Sequence, residues 1–322
     1  FKVDTMAWTY FVVGSGSIGR RHFANLQAMG KSTELLSWRH LGAAGVDQKL
    51  TACNGMAAVV IATATDIRAE LVSICAAHHA PMFIEKPLAF SRAEFDKIYR
   101  VDADLQKRSL VGFMLRYHPL TDFLTKLPKN AFFRLQLDIG HDVRQWRDNW
   151  RFAESYAARA QGGGVLLDLC HEIDLIGLIR PDLTLRDVTS IGHAAFAGVD
   201  IATSLSLVSN DGATGTVSMD YLSPVLQRGG SLTGIAQNVA FDYVKNSATV
   251  TTPDGVQEHR FTLERNGMFE NIMRDFVTIA EDTGGSTHNT LPRMDRVKAS
   301  CARIVDAWER REFIGTREVD LQ

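Results

Sequence analysis

Trp8-Thr9-Tyr10-Phe11-Val12-Val13-Gly14-Ser15-Gly16-Ser17-Ile18-Gly19-Arg20-Arg21-His22 is the stretch from which the fold of this chain is read. The run from Ala7 to Val13 is β-rich, and it leads without a gap into three glycines spaced G-x-G-x-x-G. Arg20 to Met29 then has helical composition. In a strand, turn and helix of this kind, Gly14 permits the tight turn and Gly16 lets a pyrophosphate come close to the backbone. Gly19 lets the helix pack closely on the strand, and Ser15, Ser17 and Ile18 complete a turn whose anion rests on the helix N-terminus. The spacing alone is a weak signal, but at the first strand-to-helix turn of a chain it points to a dinucleotide.

Strand and helix keep alternating after this turn. Glu34 to Trp38 reads as the second strand, and its end is where an adenosine ribose sits in such domains. An acid there accepts from the ribose hydroxyls of NAD; this sequence offers Ser37-Trp38-Arg39-His40 instead. Arg39 can pair with a 2′-phosphate that no carboxylate repels, so NADP is favoured over NAD. Ala57 to Ala62 is a continuous apolar run, as in a strand buried on both faces, and Thr63-Ala64-Thr65-Asp66 turns into a helix reaching Ala77, capped by Thr65 or Asp66.

Met82-Phe83-Ile84-Glu85-Lys86-Pro87 is a short strand stopped by an acid, a base and a proline. Ligands of open parallel sheets bind outside the carboxyl ends of the strands, so Lys86 is placed to act on them. Ser91 and Glu94 form an S-x-x-E helix start, and Leu110 to Leu115 reads as a further strand closing in Arg116-Tyr117-His118-Pro119. The expected fold class is α/β: a doubly wound parallel Rossmann sheet over 1–119, followed by an α+β domain over 120–322.

The second half has a different rhythm. Phe133 to Ile139 and Thr216 to Tyr221 alternate apolar and polar residues, and Val239 to Tyr243 continues the pattern. Strands of this type are covered on one face, which predicts a large, mainly antiparallel open sheet. Helical stretches return near 268–282 and 294–311. Between them and the first of these strands lies Gly162-Gly163-Gly164, then Asp168, His171 and Asp174 at helical spacing on one side of a predicted helix. No second ligand cluster accompanies these three, so a metal is not expected. Cys170 and His171 are adjacent and point apart on a helix, which argues against a nucleophilic pair. The segment from His141 to Arg151, with Trp146, and the nearby Tyr156 and Arg159 bring guanidinium groups and flat rings together, suited to an acidic or nucleotide-linked sugar.

A net charge of -2 and a pI near 6.6 give no electrostatic bias toward nucleic acid or anionic membranes. Four scattered cysteines suit a reducing compartment, no apolar run approaches the length of a membrane span, and a cytoplasmic location is expected.

Taken with the Glu85-Lys86-Pro87 tripeptide, the 111–119 segment and the stretch from Gly162 to Asp174, the glycine turn resembles the Gfo/Idh/MocA family of oxidoreductases. The likeness runs over nearly the whole chain. It implies a Rossmann domain, a second domain whose open sheet makes homodimer or homotetramer contacts, and oxidation or reduction of sugars and related polyols with NADP or NAD. It implies that Lys86 is the active-site lysine, His171 the acid/base histidine and Asp168 the aspartate before it. Here the spacing is D-x-x-H, one residue shorter than the commoner D-x-x-x-H. Thr63-Ala64-Thr65 stands where Thr-Pro is common, and Met114 where Asn is frequent.

The cofactor would be held by Gly14, Ser15, Gly16, Ser17, Ile18, Gly19, Arg39, His40, Ala62, Thr63, Glu85 and Lys86, and the substrate by Arg116, Tyr117, Trp146, Arg159 and His171. Oxidising an alcohol releases a hydride and a proton; imidazole can take the proton while a lysine stabilises the oxygen. Two other readings share the motifs: a glycosidase that oxidises its substrate transiently with a retained NAD, and a dinucleotide-binding regulator without turnover. A regulator needs neither Lys86 nor His171.

Overall fold

The computed structural model describes residues 7–145, 151–264, 266–284 and 288–321. By its internal contacts the chain forms two units, residues 1–116 with 265–299 and residues 117–264 with 300–322.

In the first unit the order is β1 (Thr9–Val13), α1 (Ser17–Ala28), β2 (Ser32–Leu36), α2 (Trp38–Ala52), β3 (Ala57–Ile61), α3 (Arg68–Ala77), β4 (Met82–Ile84), α4 (Arg92–Ile98), α5 (Ala103–Lys107) and β5 (Leu110–Val111). The five strands are parallel, in the order β2-β1-β3-β4-β5. Every residue of β3 and β4 is buried, which is why both read as unbroken apolar runs. After β2 the chain crosses back to lay β3 on the other side of β1. This reversal opens a crevice above the carboxyl ends of β1 and β3, where sheets of this type bind ligands. Ser91 accepts from the Glu94 N–H at the start of α4, as its sequence signature predicts.

Three local expectations shift. β2 ends at Leu36, and Trp38 already opens α2, so Arg39 and His40 lie in a helical first turn that is kinked at Gly42. Neither Thr65 nor Asp66 caps α3, because a 3-10 turn over Thr65–Ile67 precedes it. β5 is two residues long rather than six. A side chain at Gly112 would press on the Glu85 carboxylate, and the chain turns over that group at once through Phe113 and Met114.

A single boundary at Pro119 does not describe how the contacts fall. The helix expected near 268–282, α9 (Gly267–Ala280), belongs to the first unit. Its Phe276 ring lies 6.2 Å from Tyr10 and 5.8 Å from Phe83, edge to face, and the Tyr10 hydroxyl donates to Glu281 at 2.7 Å.

The second unit holds α6 (Pro119–Lys126), β6 (Phe132–Gly140), α7 (Val165–Asp168), α8 (His171–Ile179), β7 (Thr184–His193), β8 (Phe196–Val208), β9 (Thr214–Asp220), β10 (Gln227–Gly234), β11 (Asn238–Asp242), β12 (Ser247–Thr252) and β13 (Gly255–Arg260). After the return through the first unit come α10 (Lys298–Arg310), which begins at the join, and β14 (Glu312–Arg317). Nine strands form one open sheet, β13-β12-β11-β10-β6-β9-β8-β7-β14. It is mainly antiparallel, with β6–β9 and β7–β14 parallel. Leu135, Leu137 and Ile139 of β6 are buried while Gln136 and Asp138 are exposed, the predicted alternation. The buried face carries α8: a side chain at Gly215 of β9 would meet Ile176 and Leu183.

Candidate active site

In the first unit, Gly14 has φ +121, and a β-carbon there would overlap the Ala62 carbonyl. At Gly19 it would overlap the Gly14 carbonyl, whereas at Gly16 it would meet nothing within 4 Å. The turn is therefore crowded below and open above. No side chain caps α1 and no acidic residue stands in its first turn, so its N-terminal N–H groups and the positive end of the helix face an open rim. Ala62 and Thr63 border this rim at the end of β3, and the buried Thr63 hydroxyl has no hydrogen-bond partner among the described residues. Such a group is costly unless something else satisfies it. An open anion cradle beside an orphan hydroxyl fits a dinucleotide.

Lys86 follows β4 at the next strand end and is half-buried. Beneath it, Glu85 is 7% exposed and accepts from the Lys86 N–H at 3.1 Å. Its other oxygen lies 2.7 Å from Nε2 of His22, which is fully buried on α1. Burial raises the Glu85 carboxyl, but the His22 bond and the charges of His22, Lys86 and Arg68 outweigh it and hold the group below its ordinary value. Glu85 is thus a buried support whose carboxylate is committed to Lys86's backbone and to His22. A carboxyl with a lowered folded value stabilises above the ordinary glutamate range, about 4.3, and that stability is lost as pH falls through the folded value. Glu85→Gln is expected to lower the unfolding free energy at pH 7 by on the order of 2 kcal/mol, read as a lower melting temperature. The gap from the parent should close as pH falls below about 4. A gap that persists unchanged at acid pH would show that the charge contributes nothing.

Arg116 is buried in this unit, with Nη1 on the Thr290 carbonyl at 3.1 Å. Arg39 and His40 are both exposed.

In the second unit, Gly164 has φ +89 and lies against Asp200 so closely that a side chain would overlap its carboxylate. Asp200 accepts from the Leu166 N–H at 2.8 Å and from Thr203 at 3.0 Å, which seats the start of α7. The expected single helix is in fact two. α7 ends at Asp168, Leu169 leaves the helical path, and His171 opens α8 after Cys170. Asp168, His171 and Asp174 therefore do not share one helical face. Instead Asp168 receives two phenols, Tyr156 at 2.8 Å and Tyr221 at 3.0 Å. Burial, then the neighbouring Asp168 charge, pushes the Tyr221 hydroxyl well up, so it stays a proton donor to that carboxylate. His171 is 5% exposed, and its neighbour Glu172 is bound by Arg228 at 2.6 and 3.2 Å. Tyr117 is buried and Arg159 exposed; Trp146 lies outside the described residues.

The sequence reading missed three kinds of support. His22 was visible only as a polar residue on the buried side of α1. Arg68 was visible only as a charge at the head of an apolar helix. For the link from Asp168 to Tyr221, 53 residues away, the sequence carries no signal.

No protein-family model matches the chain. Over 123 residues it is 32% identical to an inositol 2-dehydrogenase of Rubrobacter xylanophilus, a match that spans 34% of this chain and 35% of that relative. Among solved structures, a UDP-N-acetylglucosamine 3-dehydrogenase from Acidithiobacillus ferrooxidans superposes with a TM-score of 0.73 at 16% identity, over 95% of this chain and 98% of that one. A 3-ketoreductase from Actinomadura kijaniata, in complex with NADP and TDP-benzene, does so at 0.74 and 15% identity, over 96% and 99%. Glycine turn, parallel sheet and nine-stranded open sheet together define the class, a Rossmann unit joined to an α+β unit. Within that class the fold is the one of these two solved structures, the dehydrogenase and the ketoreductase.

Proposed function

We propose that this chain is a Gfo/Idh/MocA oxidoreductase that moves a hydride between NADP and a hydroxyl or keto carbon of a sugar or sugar derivative. The observation that carries this reading is the rim of the first sheet, where an uncapped helix end, an orphan Thr63 hydroxyl and Lys86 stand on successive strand ends. The backbone of Gly14 to Gly19 would hold the diphosphate, and Thr63 would bond the nicotinamide half. Bound there, the nicotinamide supplies the hydride acceptor or donor. His171 would take the proton from the substrate hydroxyl or return it, and Lys86 would donate to an oxygen as charge develops on it. Asp168, held by two tyrosines, lies three residues before that histidine in the chain.

Arg39 supports NADP over NAD. It is exposed in the turn after β2, with no acid in the first turn of α2. The similar proteins include an inositol 2-dehydrogenase and a UDP-N-acetylglucosamine 3-dehydrogenase, and Arg159 fits an anionic substrate, so a nucleotide sugar or acidic sugar is the first class to test. The polar face of the open sheet, with Gln136, Asp138, Thr216 and Ser204 exposed, is the surface on which a second copy would sit. Four free cysteines support a cytoplasmic setting.

The test is a turnover screen with NADP and NAD against nucleotide sugars, acidic sugars and neutral polyols. Net reduction of NADP by one of these classes is expected. Glycoside cleavage without net cofactor change would replace this reading with the glycosidase one, and dinucleotide binding without any turnover would replace it with a regulator. In the same assay Arg39→Ala should weaken NADP by about 10- to 100-fold and leave NAD within a few fold. Equal losses for both cofactors would remove the basis for NADP.

A further inference from the structure

We propose that Arg68 is the positioning residue of Lys86, fixing the main chain on both sides of it and setting the gap between the ends of β3 and β4. The proposal rests on the oxidoreductase reading for its kinetic consequence, and on geometry alone for the contact. Arg68 opens α3 and is 5% exposed. Its Nε and Nη2 donate to the Thr63 carbonyl at 3.2 and 2.8 Å. Its Nη1 donates to the Glu85 carbonyl at 2.5 Å and also to the Pro87 carbonyl. One planar group thus spans the rim, from Thr63, two residues past the end of β3, to the residues that flank Lys86.

A buried guanidinium is expensive unless its donors and its charge are both answered. Here three carbonyls take the donors, and the buried Glu85 carboxylate lies close enough for the two charges to stabilise each other. That carboxylate in turn accepts the Lys86 N–H and sits on His22. Lys86 therefore has its N–H held from below by Glu85, with the carbonyls on either side held by Arg68. A flexible lysine gains most from such a mount, because a misplacement of about 1 Å at a reacting group costs roughly 100-fold in rate. Lysine cannot replace the arginine: it offers one nitrogen, not a rigid fork whose separate nitrogens reach both rims.

The experiment compares Arg68→Ala and Arg68→Lys in the full chain with the parent. The first measurement needs no substrate. Lys86 is acylated with acetic anhydride and its extent of labelling is read by mass spectrometry relative to the exposed Lys126. Both variants should change that ratio, and methylguanidinium should return it toward the parent value in Arg68→Ala while methylammonium at the same concentration does not. The second measurement is turnover. For both variants kcat should fall about 10- to 100-fold, with KM for the cofactor within a few fold, and methylguanidinium should restore part of kcat in Arg68→Ala. Arg68→Lys keeps the charge and one donor, so its melting temperature should fall less than that of Arg68→Ala while kcat falls about as far, a split that a purely structural role would not produce. Labelling ratios unchanged in both variants overturn the proposal, as does full activity in Arg68→Lys. If the parent turns over no sugar, the oxidoreductase reading fails, and the labelling ratios alone then decide the role of Arg68.

Discussion

Replacing Lys86 by Ala is expected to lower kcat by about 100- to 1,000-fold while cofactor affinity stays within a few fold. The reason is chemical. The backbone of the glycine turn would carry most of the dinucleotide's binding, whereas an oxygen gaining charge needs a donor such as the Lys86 ammonium. His171→Asn should lose about 100- to 10,000-fold, the range of a general acid or base. If the two groups serve one proton and one oxygen, the double variant should lose far less than the product of the single losses. Stopped-flow measurement of nicotinamide absorbance on the best substrate, with cofactor titrated by fluorescence, separates the two terms. Unchanged turnover in Lys86→Ala ends the assignment.

The second large effect is at the glycine turn, where two positions should fail differently. Gly14→Val forces a branched side chain into φ +121 and onto the Ala62 carbonyl. Left-handed backbone at a branched residue costs on the order of 1–3 kcal/mol before the overlap is counted, so the melting temperature should drop by several degrees and cofactor should no longer raise it. Gly16→Ala adds a methyl where nothing lies within 4 Å, at φ -71, an ordinary angle for any residue. The fold should keep its melting temperature, yet the methyl would occupy the space through which a diphosphate reaches the backbone, and affinity should fall about tenfold or more. A Gly16→Ala protein that binds NADP as tightly as the parent would mean the diphosphate lies elsewhere.

What the sequence disclosed depended on how local the physics was. The glycine turn, the Ser91–Glu94 start of α4 and the apolar strand β3 are each determined by a few consecutive residues, and all three stand where they were read. Alternation in β6 and β9 gave the open sheet because one covered face imposes a period of two. The parallel pairing of β6 with β9 was not legible, since strand order is a matter of distant partners. For the same reason Asp168, His171 and Asp174 looked like one helical face. Their spacing is right, but Asp200 seats α7 from another strand and two tyrosines hold Asp168, so the chain breaks at Leu169. Lys86 could be singled out because a strand that stops at a proline is a local event, whereas His22 and Arg68, which bond the residues beside it, come from 64 and 18 positions away in sequence.

The route of the backbone through the first unit governs how this protein can be made and cut. Residues 117–264 are in effect an insertion, and α9, which lays Phe276 against Tyr10 and Phe83, is translated only after the nine-stranded sheet has nearly all emerged. On the ribosome the nucleotide-holding half starts first and is completed late, so its β1 and α1 wait with an apolar flank exposed. A gene fragment stopped at codon 119 would encode five strands without that cover, and excising the whole insertion while keeping 265–299 is the rational way to obtain the half on its own.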